Sequence, residues 1–161
     1  MPRVILYQPE IPQNTGNVAR TCAATHTPLH LVEPLGFRVS DRHLKRAGLD
    51  YWHHVDVRVH RDLDDLRNFI HGGRWICFSA RGDLSFYDFK FMQEDCLFFG
   101  SETKGLPDSF LENVSNCVLR VPLDRSRVRS LNLATTVGVV LYETIRQLAL
   151  ADRHGFRALD P

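Results

Sequence analysis

The chain has 161 residues, 43% hydrophobic and 24% charged, the composition of one globular domain that buries a core without disulfide or metal staples. No apolar run reaches the roughly 18 residues of a membrane span, and the start from Met1 to Tyr7 lacks the pattern of a signal peptide, so a cytoplasmic protein is expected. A net charge of +1 leaves only a weak global pull on nucleic acid, although the local basic clusters Arg38 to Arg46 and Arg120 to Arg129 suit a small RNA footprint.

In chain order, Arg3 to Tyr7 reads as a strand, Asn14 to about Thr25 as a helix capped by Asn14, and His30 to Val32 as a second strand. Pro34-Leu35-Gly36 marks a turn, Asp41 to Ala47 a short helix, and His54 to Val59 alternates like a half-buried strand. Asp62 is a good N-cap for a helix over Leu63 to Ile70 that Gly72-Gly73 terminates. Arg74 to Phe78 and Cys96 to Phe99 are near-continuous apolar runs, as strands covered on both faces would be. A short helix follows Pro107-Asp108, Cys117 to Val121 is a last strand, and Asn132 to Ala149 a long helix. The segment His154 to Pro161 reads as loose, within a tail from about residue 152.

Strands separated by helices predict an α/β fold: a mostly parallel sheet with helices on both faces, in a single domain over residues 1–161. Val137, Val139, Val140, Leu141, Tyr142, Ile145 and Leu148 spread apolar surface around most of the last helix. Such a helix needs cover on more than one side, from a second subunit or from full internal burial.

Cys22, Cys77, Cys96 and Cys117 are scattered, without a C-x-x-C pair, and read as free thiols. His53 and His54 are adjacent and share no helix face, so no metal site is expected.

Three stretches carry polar side chains next to small residues where a strand should hand over to a helix: N-T-G-N-V-A-R (Asn14–Arg20), F-G-S-E-T-K-G-L-P (Phe99–Pro107) and R-S-L-N-L-A-T-T (Arg129–Thr136). Open α/β sheets bind ligands at such strand ends. Gly100 and Gly105 suit positive φ and close approach of a ligand to the main chain. Their separation matches a P-loop, but Leu106 and Pro107 stand where Lys and Ser/Thr are required, and no G-x-G-x-x-G occurs. Arg20 has the planar fork that clamps phosphate or carboxylate. Ser130 and Asn132 suit either capping of the last helix or bonding of a ligand.

These three stretches resemble the motifs of the SpoU-type RNA 2′-O-methyltransferases of the SPOUT superfamily. The segments Glu33 to Phe37 and Lys45 to Tyr51, with the opening Leu6 to Asn17, look like its small members that methylate cytidine or uridine at the tRNA wobble position. The resemblance implies a C-terminal deep trefoil knot, S-adenosyl-L-methionine as cofactor, tRNA (the anticodon region) as partner, and a homodimer without membrane or metal.

Carried over by position, it implies cofactor contacts from Phe78, Gly100, Val121, Ser130 and Leu131, the backbone serving at Phe78. It implies catalytic roles for Arg20, Asn14, Glu102, Ser130 and Asn132. Ser101 stands where the resemblance leads one to expect proline, and Lys104 where it leads one to expect arginine. The same motifs admit action on another RNA site, or a non-catalytic RNA-binding protein.

Overall fold

Strands apolar at every position need cover on both faces. The computed structural model, which describes residues 1–38, 52, 54–113 and 117–151, provides it. The expected helix from Asp41 to Ala47, the basic cluster after Arg38, His53, the segment Lys45 to Tyr51 and the tail from residue 152 lie outside the described residues. Seven strands form one sheet: β1 (Arg3–Tyr7), β2 (Leu29–Val32), β3 (Val57–His60), β4 (Trp75–Phe78), β5 (Leu84–Ser85), β6 (Cys96–Phe99) and β7 (Val118–Arg120). Four described α-helices accompany them: α1 (Pro12–Ala24), α2 (Leu63–Phe69), α3 (Asp108–Asn113) and α4 (Leu133–Ala151). The order is β3-β2-β1-β6-β4-β7-β5, and every pairing is parallel.

Because side chains alternate across a strand, neighbours in sequence enter opposite layers. Val4, Leu6, Ile76, Leu97 and Phe99 pack with Val18, Ala19 and Cys22 of α1 and with Val137, Val140, Leu141 and Ile145 of α4. Ile5, Val32, Cys77, Cys96 and Phe98 pack on the other face with Leu66 of α2 and Phe110 of α3. The expected α/β architecture is thus present, with helices on both faces. Cys22, Cys77 and Cys96 are buried free thiols, and burial pushes those of Cys22 and Cys77 up to about 12, which makes them inert at neutral pH.

The element boundaries moved little from the sequence reading. Asp62 caps α2 as expected, its carboxylate accepting the N–H of Asp65 at 2.8 Å. Gly72 and Gly73 follow with φ of 86° and 85°, the left-handed region that glycine tolerates. Strand β5 and the 3-10 turn over Phe86–Asp88 were not expected, since two residues show no period. On the last helix, of the two covers expected, full internal burial is not found: Val137, Val140 and Leu141 are fully buried while Val139 is 39% and Tyr142 52% exposed. Internal burial therefore covers one stripe of α4 rather than its whole circumference.

At the β2–β3 edge, His30 Nδ1 and His60 Nε2 lie 2.9 Å apart and both rings are buried, with Asp65 3.6 Å from His60 Nδ1. Burial first, then the neighbouring His60, pushes His30 from the usual 6.5 down to about 4. The unfolded chain takes up a proton near pH 6.5 that the folded chain refuses until about 4. Stability is therefore complete above pH 6.5 and falls as the pH drops toward 4, by about 2–3 kcal/mol for this ring. Urea unfolding midpoints measured across that window should show the decline, and a His30→Gln variant should show a shallower one.

Candidate active site

Topology brings the three motifs together. With β6 and β2 on its two sides, β1 is where the strand order reverses, and in parallel sheets ligands sit beyond the carboxyl ends near such a point. There, at the ends of β4, β6 and β7, lies a cavity of about 480 Å³. Its walls include Phe78 and Ser79 at the end of β4, residues 99–106 from the end of β6, Val121 and Leu123 after β7, and Ser130 to Leu133 entering α4. That volume suits a cofactor-sized molecule.

The loop after β6 folds back on itself. Ser101 and Gly105 form a two-residue antiparallel bridge, the Gly105 N–H donating to the Ser101 carbonyl at 2.9 Å. Gly105 takes φ of 68°, as expected, but Gly100 does not adopt positive φ. A Cβ on Gly100 would stand 2.1 Å from the carbonyl carbon of Gly105. Gly100 is needed so that the loop's own backbone can close beside the cavity that it lines.

One hydrogen-bonded chain ties the motifs to each other. Glu102 accepts the N–H groups of Glu10 at 2.8 Å and Ile11 at 3.2 Å, and the Asn14 side-chain amide at 2.9 Å. The Asn14 oxygen accepts from the Asn132 amide at 2.9 Å, and the Asn132 oxygen caps α4 by accepting the N–H of Ala134 at 2.9 Å. Every atom here faces a matching donor or acceptor, in the manner of a fully satisfied polar network. Asn14 is therefore not the cap expected from the sequence. The N-cap of α1 is Ile11, without a side-chain cap, and Pro12 occupies the first turn. The Glu102 carboxylate supplies the missing acceptor from across the molecule, and an anion at a helix start is favoured by the exposed N–H groups there.

Of the residues expected at the site, Asn14, Glu102, Ser130 and Asn132 line the cavity, as do Phe78, Gly100, Val121 and Leu131. Arg20 does not. It is an exposed residue of α1, six positions after Asn14 and so roughly a turn and two thirds further along, on another face. Sequence reasoning missed Glu10, whose carboxylate accepts the Thr103 hydroxyl at 2.7 Å and the Thr103 N–H at 3.2 Å. The two glutamates thus clasp each other's loops reciprocally. An acidic residue two positions before a proline-opened helix was the only available signal, and it is a weak one. Among the described residues no group of three His, Cys, Asp or Glu could hold a metal ion, and no helix is long and apolar enough to cross a membrane.

Comparison with known proteins places this geometry. The chain is 48% identical over 147 residues to the tRNA (cytidine(34)-2′-O)-methyltransferase of Burkholderia cenocepacia, covering 89% of this chain and 94% of that protein. A solved structure concerned with "the 2-OH methylation of C/U34 on tRNA" is 51% identical, covers 92% of this chain and 97% of its own, and superposes with a TM-score of 0.88. The methyltransferase AviRb from Streptomyces viridochromogenes, solved with S-adenosylmethionine, shares the fold at 22% identity with a TM-score of 0.82, over 92% of this chain and 57% of that one. The family model that matches, over residues 1–142, takes in the motifs around the cavity as far as the first half of α4. The chain belongs to the SpoU rRNA Methylase family.

Proposed function

We propose that this chain methylates the ribose 2′-hydroxyl of the wobble nucleotide of tRNA, with S-adenosyl-L-methionine as methyl donor. The observation that carries the reading is the polar chain from Asn132 through Asn14 to Glu102, which assembles three distant motifs around one cavity. Relatives named for this reaction match at 48% identity over nearly the whole chain.

The cavity suits the cofactor chemically. Phe78, Val121, Leu131 and Leu133 offer apolar walls, and the main chain of residues 100–105 offers polar edges. Phe78, Gly100, Val121, Ser130 and Leu131 would hold it. When bound, S-adenosylmethionine supplies an electrophilic methyl group on a sulfonium centre.

The protein's own part is alignment, which accounts for much of the rate of such an in-line transfer. Glu102, Asn14 and Asn132 spend their polar atoms on one another, so they position the loops rather than exchange protons. That Arg20 is exposed and off the cavity wall supports a role toward RNA rather than cofactor. From there it grips a substrate phosphate through its planar fork, outside this chain's cavity. The hydroxyl proton passes to a phosphate oxygen or a water molecule, because a guanidinium in a protein does not give up its own proton. Arg125, Arg127 and Arg129, exposed on the segment between β7 and α4, extend the anion-binding surface.

The chain acts as a cytoplasmic homodimer, and its C-terminal part closes as a deep trefoil knot. Exposed Val139 and Tyr142 on α4 support the first reading of assembly. Entry of β7 between β4 and β5, followed by return of α4 onto the α1 layer, supports the second.

Incubation with labelled S-adenosylmethionine and tRNA from a strain lacking the enzyme should label the ribose of the wobble nucleotide, read by mass analysis. Label on a base, at another nucleotide, or absent altogether would sink the assignment. Arg20→Lys should lower the single-turnover rate about tenfold to hundredfold, since a point charge cannot reproduce the bidentate fork. A rate near that of the unaltered protein would remove any need for the guanidinium.

A further inference from the structure

The turn that follows β4 presents a charged side chain to the cavity, and it is pinned from several directions. The Ser79 N–H donates to the Leu119 carbonyl at 2.9 Å, the Gly82 N–H to the Ser79 carbonyl at 3.1 Å, and the Arg81 N–H to Ser79 Oγ at 3.2 Å. Gly82 lies so close to β7 that a Cβ there would stand 2.7 Å from the Leu119 carbonyl carbon. From β7 itself, the Arg120 guanidinium donates to the carbonyls of Gly82, at 3.0 Å, and Asp83. The backbone of the turn that carries Arg81 is therefore fixed, while its side chain stays free to change partners.

Its side chain borders two hollows: the cavity described above, and a neighbouring one of about 320 Å³ shared with Asp83, Asp108 and Glu112. On that second side it pairs with Asp108 at 2.5 Å, both side chains being more than half exposed. An ion pair so open to water contributes little and exchanges readily. A carboxylate held within the cavity, partly shielded from water and met by a planar fork, is the stronger partner.

The charge inventory of the cavity narrows the choice. Its charged lining residues are Arg81, Glu102 and Lys104. Both oxygens of Glu102 are engaged by N–H groups. Lys104 is exposed and offers a point charge without a fork. A methyl donor that ends in an amino acid brings one carboxylate, and one planar guanidinium on a fixed stretch of backbone can meet it. We propose that Arg81 is the cofactor's carboxylate clamp, exchanging Asp108 for the α-carboxylate of the methionyl end and so selecting the intact cofactor over its decarboxylated form. The inference rests on the reading of the cavity as an S-adenosylmethionine site.

Calorimetric titration of the full chain with S-adenosylmethionine and with decarboxylated S-adenosylmethionine tests it. The unaltered protein should prefer the intact cofactor by roughly tenfold to hundredfold, the range for a charge-assisted hydrogen bond. Arg81→Gln, checked for native circular dichroism, should lose most of that preference by weakening only the intact form, and Arg81→Lys should keep part of it. Asp108→Asn should bind the intact cofactor as well or better. The clamp is overturned if Arg81→Gln keeps the full preference, if Lys104→Gln abolishes it instead, or if Asp108→Asn loses as much affinity as Arg81→Gln. Equal binding of both forms by the unaltered protein overturns the clamp while leaving the cofactor site intact. Binding of neither form removes the site reading and the clamp together.

Discussion

Replacing Gly100 by alanine is expected to lower the methyl-transfer rate about hundredfold, because a displacement of about an ångström at a reacting centre is worth that much. The added Cβ would meet the Gly105 carbonyl carbon at 2.1 Å and the Leu106 nitrogen at 2.3 Å, both main-chain atoms. No rotamer relieves such a contact, so the bridge between Ser101 and Gly105 has to open. Opening it shifts the backbone that lines the cavity and moves Glu102 away from Glu10, Ile11 and Asn14. Overpacking of this kind should also cost about 1–3 kcal/mol of stability. Single-turnover rates at saturating cofactor and tRNA, with a thermal melt beside them, check both effects. An unimpaired rate in Gly100→Ala would show that closure of this loop does not shape the site.

Arg74→Met should be strongly destabilising although it lies away from the cavity. Asp95 is 1% exposed and accepts from Arg74 Nε at 2.8 Å, from Arg74 Nη2 at 2.7 Å and from the Met92 N–H at 2.8 Å. The pairing holds the Arg74 guanidinium above its usual range, with Asp95 as the main cause. The same guanidinium donates to the Lys90 carbonyl and lies 4.9 Å from the centre of the Phe89 ring. Methionine keeps most of the volume but leaves the Asp95 carboxylate buried without its counter-charge, which costs about 3–5 kcal/mol. The urea midpoint should fall while the slope of the transition stays unchanged. Asp95→Asn should cost less, because the partly exposed arginine can then turn to water. Equal effects from the two variants would contradict this account.

The loop from Lys90 to Asp95 matters to the site because it leads into β6. Arg74 opens the path into β4 and Asp95 the path into β6, and the two strands run in parallel register from Trp75 opposite Cys96 to Phe78 opposite Phe99. Phe78 and Phe99 end that register stacked at 4.8 Å, at the base of the cavity. A buried ion pair at one end of two strands thus aligns the walls at the other. Loosening of the first should therefore weaken cofactor binding as well as the fold.

What could be read from the chain as a string was set by local chemistry. Apolar runs such as Cys96 to Phe99 announce strands covered twice, and their alternation with helices limits the fold to a parallel α/β sheet. Asp62 and Gly72-Gly73 punctuate a helix through their own backbone preferences, which need no distant partner. The three motifs are equally local: each was legible as small residues beside polar ones where a strand hands over to a helix, and the structure sets parts of all three around one cavity.

Partnership was not. That Asn14 spans between Glu102 and Asn132 instead of capping α1 depends on residues many positions away, and that Gly100 makes room for the backbone of Gly105 depends on how the loop folds back. The face of α1 that carries Arg20 away from the cavity wall, and the stripe of α4 that the sheet leaves uncovered, follow from how helices pack on it. Hydrogen bonds and steric contacts between distant segments exist only once the chain is folded, because a sequence specifies neighbours along the backbone whereas a site is made of neighbours across it.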